Sequence, residues 1–159
     1  MLRMGKLTDY GIVLLVEMTD RPGHLHKAAE LSEQLGLPQP TVSKLLQRLS
    51  LGGFLESTRG VNGGYRLARS ASDITVADII RSLEGHGGLT ECVEQPGSCS
   101  QENTCTIRGK WPAINAAIWH ALTGITLTDM ATNSDVQMVN FMLPADSAEI
   151  AAERQSGLR

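Results

Sequence analysis

The sequence has few aromatic residues and no long apolar run. Phe, Tyr and Trp occur twice each among 159 residues, although the apolar content of 42% is normal for a globular protein. We therefore expect a core of Leu, Ile, Val, Ala and Met. No segment approaches the ~20 apolar residues of a membrane span, and Met1–Lys6 is too polar to open a secretory signal. These absences predict a cytoplasmic protein without a membrane partner.

Catalytic patterns are also missing. No nucleophile–base pair and no substrate-pocket motif stands out in the sequence. We therefore expect neither an enzyme nor a small-molecule substrate. The net charge of −3 divides into +3 over residues 1–69 and −6 over residues 70–159. A mildly basic N-terminal half permits nucleic-acid binding there.

The cysteines are few and odd in number. Cys92, Cys99 and Cys105 all fall in residues 91–108, which we call the cysteine loop, with six and five residues between them. A disulfide would leave one thiol over, and a closed zinc site usually needs four ligands in closely spaced pairs. The intervening residues are mostly loop formers, so the thiols can converge. In a reducing compartment this pattern favours an iron–sulfur cluster over zinc or over three unrelated cysteines.

Apolar periodicity predicts three helices in the first half of the chain. Leu7–Thr19 begins near a capping residue, either Thr8 or Asp9. His26–Leu35 follows, and a short turn leads to Thr41–Leu51. The third helix has two predicted faces. Its inward face is apolar and consists of Val42, Leu45, Leu46 and Leu49. Its outward face is polar and consists of Thr41, Ser43, Lys44, Gln47 and Arg48. This arrangement is typical of a helix-turn-helix.

A β-hairpin is predicted directly after the third helix. Its strands cover residues 54–58 and 64–68, and the Gly- and Asn-containing connector 59–63 suits positive φ angles. Arg59 stands at the tip and Arg66 on the return strand. A hairpin in this position is a wing, which can meet phosphate or the minor groove while the third helix reaches base edges. The predicted fold class is mainly α, a winged helix-turn-helix with a two-stranded wing.

The second half of the chain is predicted to hold two further helices. Asp73–Leu83 is capped near Asp73 or Thr75, and Thr106–Leu122 follows the cysteine loop, with Pro112 expected to kink it. The broad apolar stripe of this long C-terminal helix predicts a dimer interface, with packing inside the monomer as the alternative. Ile125–Ala131 adds one helical turn. We divide the chain into a DNA-binding unit (1–70), a unit with cysteine loop and dimerisation helix (71–131) and a flexible tail (132–159).

Four segments and the cysteine loop resemble the Rrf-two (Rrf2) family of bacterial winged-helix regulators. The segments are LTDYGIVLL, LPQPTVSKLLQRL, TRGVNGGYRLAR and ITVADIIRSLEG. Within the family, GLTECVEQPGSC and CTIRGKW look most like regulators of the SUF iron–sulfur assembly operon. The resemblance implies a homodimer on a double-stranded DNA operator and an iron–sulfur cluster on the three cysteines. It also implies DNA contacts by Gln39, Thr41, Ser43, Lys44, Arg48 and Arg59.

The resemblance leaves the fourth cluster ligand open. One branch of the family has a His three residues after the last cysteine, where this chain has Arg108. In the nitric-oxide-sensor branch an Asp near the start of the first helix, from the partner subunit, completes the cluster, and Asp9 matches it. This match implies a 4Fe–4S cluster with Asp9 as ligand, while a 2Fe–2S cluster stays possible. The competing candidates for this ligand are His86, Glu91, Glu94 and Glu102.

These observations predict a transcriptional repressor of iron–sulfur assembly genes whose cluster state changes its operator affinity. A nitric-oxide or redox-sensing repressor of stress genes is the alternative within the same class. An iron–sulfur carrier and a zinc-stabilised DNA-binding protein are alternatives from other classes.

Overall fold

The computed structural model describes residues 4–85 and 87–132, and the predicted tail and His86 lie outside these ranges, apart from Thr132. This part of the chain forms seven α-helices and a two-stranded sheet, which confirms the predicted winged helix-turn-helix. The elements are α1 (Lys6–Thr19), α2 (Ala28–Leu35), α3 (Gln39–Leu51), β1 (Leu55–Thr58), β2 (Gly64–Leu67), α4 (Val76–Glu84), α5 (Glu91–Glu94), α6 (Trp111–Thr123) and α7 (Leu127–Ala131).

The first three helices follow the predicted apolar periodicity closely. The four residues predicted to form the inner face of α3 are all buried, which confirms that face. Gly36 ends α2 in the left-handed conformation, with φ of 63°. The predicted cap of α1 is wrong, because Gly5 is the N-cap residue and Asp9 lies inside the first turn. α2 begins two residues later than predicted, because His26 and Lys27 are extended before the helix starts.

The wing is an antiparallel hairpin made by β1 and β2. Its register pairs Leu55 with Leu67 and Glu56 with Arg66. Gly60 has φ of 112°, and Gly63 has no room for a Cβ against the chain at the start of the connector. The predicted positive φ at Asn62 is wrong, since only glycines adopt it among the described residues. The positive φ at Gly60 and the lack of space for a side chain at Gly63 explain why the connector is rich in glycine.

Helices α4 and α7 begin with the same five-residue pattern. Thr75 caps α4 and exchanges hydrogen bonds with Asp78, and Thr126 caps α7 and exchanges them with Asp129. The two threonines also pair as an isolated antiparallel bridge. The bridge is closed by two bonds, from Val76 N to Ile125 O at 2.9 Å and from Leu127 N to Ile74 O at 2.8 Å. The predicted cap at Thr75 is thus confirmed, and the bridge joins the starts of α4 and α7.

The helix after the cysteine loop is shorter than predicted. A 3-10 turn over Arg108–Lys110 precedes it, and α6 begins only at Trp111. Pro112 lies in its first turn, where a missing N–H needs no partner. The predicted kink is therefore wrong, because the proline starts the helix instead of interrupting it. None of the residues of α6, all of them described, is fully buried.

A single apolar core joins both halves of the described chain. α1 packs against α2, α3, α4, α7 and β2, and it contributes Leu14, Leu15 and Met18. α4 and α7 add Ile79 and Leu127, both without exposed surface. The proposed boundary at residue 70 therefore separates segments that share this core. No described helix is long and apolar enough to cross a membrane.

We expect Leu127→Ala to destabilise the DNA-binding segment as well as α7. Truncating a fully buried leucine usually costs about 2–5 kcal/mol. Leu51→Ala is the matched control, because Leu51 at the end of α3 is 84% exposed. Chemical unfolding followed by circular dichroism should show one transition, moved to lower denaturant only by Leu127→Ala. Two transitions, of which only one moves, would instead indicate independent domains.

Candidate DNA-binding head and cysteine loop

The outer face of α3 presents polar side chains on the surface of the helix-turn-helix. Gln39 lies in the first turn of α3, and Ser43 and Lys44 lie further along it; all three are exposed. Thr41 is half-buried. The first turn contains no acidic side chain that would repel phosphate. We refer to α2, α3 and the wing together as the DNA-binding head.

Arg48 makes a contact that the sequence pattern did not reveal. Its guanidinium donates a 2.6 Å hydrogen bond to the carbonyl of Leu83, near the end of α4. A cation in the last turn of a helix also interacts favourably with the helix dipole. Arg48 is half-buried as a result. Its predicted DNA contact stays a prediction, but in this structure the side chain joins α3 to α4.

The two wing arginines differ in their partners. Arg66 pairs with Glu56 directly across the hairpin, with two guanidinium–carboxylate distances of 2.9 and 2.7 Å. Arg59 is exposed at the start of the connector, and Val61 beside it is 92% exposed. The tip therefore protrudes, with the charge of Arg59 available to an incoming anion.

The cysteine loop holds three free thiols that are each half-buried. Cys92 lies in the one-turn helix α5, which differs from the predicted continuous loop, and its sulfur is 3.2 Å from Thr90 Oγ1. Cys99 and Cys105 lie outside helices and strands. Among the residues that the structure describes, the three thiols do not form a group close enough to hold a single ion. An iron–sulfur cluster needs its thiolate ligands further apart than a single ion does, because each iron atom binds its own ligand.

A buried carboxylate organises the middle of the cysteine loop. Glu102 is only 7% exposed, and its two oxygens have different partners. Gly97 N donates to Oε2 at 2.6 Å, while Arg108 pairs with Oε1 at 2.6 Å. Arg108, which stands where one family branch has a histidine, thus neutralises a buried acid. Both oxygens of Glu102, a rival cluster ligand, are already engaged.

Helix α6 holds the segment that leads into the cysteine loop. Asn115 Oδ1 accepts a hydrogen bond from Leu89 N at 3.3 Å, and Trp119 Nε1 donates to Gly87 O at 3.3 Å. The guanidinium of Arg81, on α4, lies 4.8 Å from the centre of the Trp119 ring. This is a cation–π contact. α6 therefore connects the cysteine loop with α4.

Asp9 forms no ligand group with the cysteines among the described residues of one chain. It is exposed on α1, which packs against α4 and α7. Its role as a ligand therefore stays a prediction that involves a partner subunit. Glu91 and Glu94 lie in or at the end of α5 and are exposed.

The structure also brings together a second group of potential ligands, which the sequence pattern does not mark. In the described ranges, His24, His26 and Glu30 have ligand atoms that all lie within 4.8 Å of one another. The signal in the sequence is His-x-His with a glutamate four residues later. That signal is weak without knowledge of the turn before it.

The helix-turn-helix, its wing and its exposed basic side chains define a DNA-binding transcriptional regulator. The sequence profile of the Rrf2 family, described as "Iron-dependent Transcriptional regulator", matches residues 4–133. The chain therefore belongs to the Rrf2 family, as the resemblance predicted.

Several named proteins are similar to this chain over most of their length. Protein aau3 of Rhizobium meliloti is 29% identical over 143 residues, which are 89% of this chain and 92% of that protein. The HTH-type transcriptional regulator IscR of Serratia proteamaculans is 30% identical and covered to 84% in both chains. Among solved structures, CymR, the global cysteine regulator of B. subtilis, has a TM-score of 0.67 at 27% identity, covering 85% of this chain and all of CymR. IscR of T. potens has a TM-score of 0.61 at 30% identity, covering 86% and 92%.

We expect Glu102→Ala to loosen the cysteine loop. The substitution removes the acceptor of Gly97 N and leaves Arg108 without its carboxylate. The alkylation rates of Cys99 and Cys105 should then rise several-fold in anaerobic, metal-free protein. Glu94→Ala, at an exposed glutamate of the same loop, is the control and should leave these rates unchanged. Equal rates in all three proteins would mean that the carboxylate does not order the loop.

Proposed function

We propose that this chain is a homodimeric repressor of iron–sulfur assembly genes that senses its own iron–sulfur cluster. The observation that carries the proposal is that three free thiols lie on one loop, which contacts the DNA-binding head through α6 and α4. The names of the IscR relatives support a link to this class of regulator. Assignment to the SUF branch rests on the resemblance in the cysteine loop.

The surface of α6 supports the proposed dimer. Ile114 on α6 is 45% exposed, and Ile107 just before it is 47% exposed. Apolar side chains on a helix that is nowhere fully buried are well suited to cover the same helix of a second copy. A two-fold dimer would present two DNA-binding heads, as half-sites about 34–36 Å apart require.

The donor set fits an iron–sulfur cluster. Cys92, Cys99 and Cys105 offer thiolates, the ligand class that such clusters prefer. Asp9 of the partner subunit is the proposed fourth ligand, since within one chain it is exposed and separate from the loop. Such a cluster supplies iron that can be lost, oxidised or modified by small molecules. A 4Fe–4S cluster is favoured, and a 2Fe–2S cluster is the alternative.

A continuous set of contacts supports communication between the cysteine loop and DNA. The segment before the loop is hydrogen-bonded to Asn115 and Trp119 of α6. Trp119 touches Arg81 of α4, and the Leu83 carbonyl of α4 accepts from Arg48 of α3. A rearrangement of the loop can therefore shift α3 through two helices. In this proposal, Arg48 has two roles: its bond to the Leu83 carbonyl positions α3, and it also faces the operator.

Iron, sulfide and zinc contents per subunit, measured on anaerobically purified protein, test the cluster. We expect about four iron and four sulfide per subunit, and loss of the visible spectrum on exchange of any cysteine for Ala. Asp9→Ala should speed loss of the spectrum in air several-fold, while Asp20→Ala, at the other end of α1, should not. Two iron and two sulfide would indicate the smaller cluster. Zinc without sulfide would refute the sensor and favour a zinc-stabilised DNA-binding protein.

Operator binding tests the head separately. We expect Arg59→Ala to weaken binding several-fold and to reduce the salt dependence by about one phosphate contact. Arg66→Ala is the matched control, since its guanidinium is paired with Glu56 and should contribute less. Fluorescence anisotropy with a labelled operator fragment at several salt concentrations measures both effects. Identical affinities and salt slopes for Arg59→Ala and the unaltered chain would exclude the wing tip from DNA binding.

A further inference from the structure

We propose that His24, His26 and Glu30 form a binding site for a divalent first-row transition cation, for which Zn²⁺ is the probe. The site lies between the end of α1, the start of α2 and the base of the wing. It is separate from the cysteine loop and does not depend on the proposed cluster. Metal binding at this site would act on the DNA-binding head directly, without the cysteine loop.

The local backbone explains why these three side chains converge. Arg21 to His24 form a turn closed by His24 N to Arg21 O at 3.1 Å, with Gly23 at φ of 79°. His24 and His26 follow the turn two residues apart, His26 pairs with Tyr65 in an antiparallel β-bridge, and the two side chains come together on one side. Glu30 lies in the first turn of α2 and reaches back towards the Lys27 N–H at 3.5 Å. All three side chains thus face the space beside the turn.

The second observation is the state of His26. Its side chain is 1% exposed, yet neither ring nitrogen has a hydrogen-bond partner among the described residues. Burying an imidazole without partners is costly, and buried polar groups are almost always satisfied. A metal bond would give one of the two ring nitrogens a partner and so reduce this cost. The ring lies edge-on to that of His24, with centroids 4.8 Å apart.

Arg21 shows that the group already attracts a cation. Its guanidinium donates to Glu30 Oε1 at 2.7 Å and lies 3.4 Å from His24 Nε2. Since a guanidinium can only donate, the nitrogen of His24 is the acceptor in this contact. Two of the three proposed ligands therefore direct lone pairs at one positive charge. A metal ion would take the place of this guanidinium, which is 46% exposed and free to swing away.

The chemistry of the three groups suits a transition cation. Burial, with His24 and Arg21 nearby, lowers the pKa of His26, which favours the neutral imidazole. The hydrogen bond from Arg21 lowers the pKa of Glu30 and keeps it ionised. Two imidazoles and a carboxylate form a set that binds zinc and leaves a fourth position open.

The ligand atoms need only a modest approach. Bonds of about 2.0–2.2 Å around tetrahedral zinc place ligand atoms about 3.4 Å apart, compared with separations of up to 4.8 Å here. The His24 and Glu30 side chains are 44% and 32% exposed and can close this difference. His26 is fixed by two backbone hydrogen bonds to Tyr65, at 2.8 and 2.9 Å. Metal binding would therefore draw the α1–α2 turn towards the wing.

Zn²⁺ titration of the full chain with all three cysteines exchanged for Ala tests the site without the competing thiols. We expect one Zn²⁺ per chain, with His24→Ala and Glu30→Gln each weakening binding at least tenfold. His120→Ala, at an exposed histidine on α6, is the control. Arg21→Gln should tighten binding several-fold, because it removes the competing cation. A purely structural role of these residues would not give opposite effects for His24 and Arg21.

Co²⁺ gives a second measurement on the chain with its cysteines intact. Binding at this site should produce d–d bands without thiolate-to-metal charge transfer, and His24→Ala should remove those bands. The proposal fails if the cysteine-free chain folds and binds no Zn²⁺. It also fails if His24→Ala leaves Zn²⁺ affinity unchanged, or if every Co²⁺ band carries thiolate character.

Discussion

Burial of one face of α1 is the constraint on which the rest of the described structure depends. Leu14, Leu15 and Met18 form the centre of the core, and five other elements pack against this helix. Gly11 lets α4 approach closely, since a Cβ there would meet the Leu83 side chain. α3, the wing strand β2 and α4, which precedes the cysteine loop, all pack against α1. A change in α1 therefore reaches the DNA-binding head directly, and the cysteine loop only through α4 and α6.

The local sequence pattern was sufficient to predict features that depend on a single helix or turn. The inner face of α3 follows from a 3.6-residue period, and the wing follows from glycines where the chain turns tightly. The start of α6 could not be predicted in this way. The sequence pattern of residues 106–110 is compatible with a helix. In the structure, however, a 3-10 turn ends this segment, and α6 begins only at Trp111, with Pro112 in its first turn. The contact of Arg48 with Leu83 joins residues 35 positions apart, and no local pattern contains it.

The candidate sites show the same division. Cysteine spacing marks the loop at once, because thiols are rare and chemically distinctive. The buried carboxylate of Glu102 could not be predicted, since its pairing with Arg108 depends on how the loop folds. The group at His24, His26 and Glu30 depends on a turn, an extended segment and a helix start acting together. Its members were individually ordinary, and only burial of His26 without partners distinguishes them.

The paired threonines at the starts of α4 and α7 have a consequence for local opening. The bridge between Thr75 and Thr126 closes the base of a long excursion of the chain that includes α4, the cysteine loop and α6. The base is tied to the core, whereas few of the described side chains at the far end are fully buried. Such a segment can lose and regain order at its far end without unfolding the core. The cysteine loop can thus change its conformation while the core stays folded.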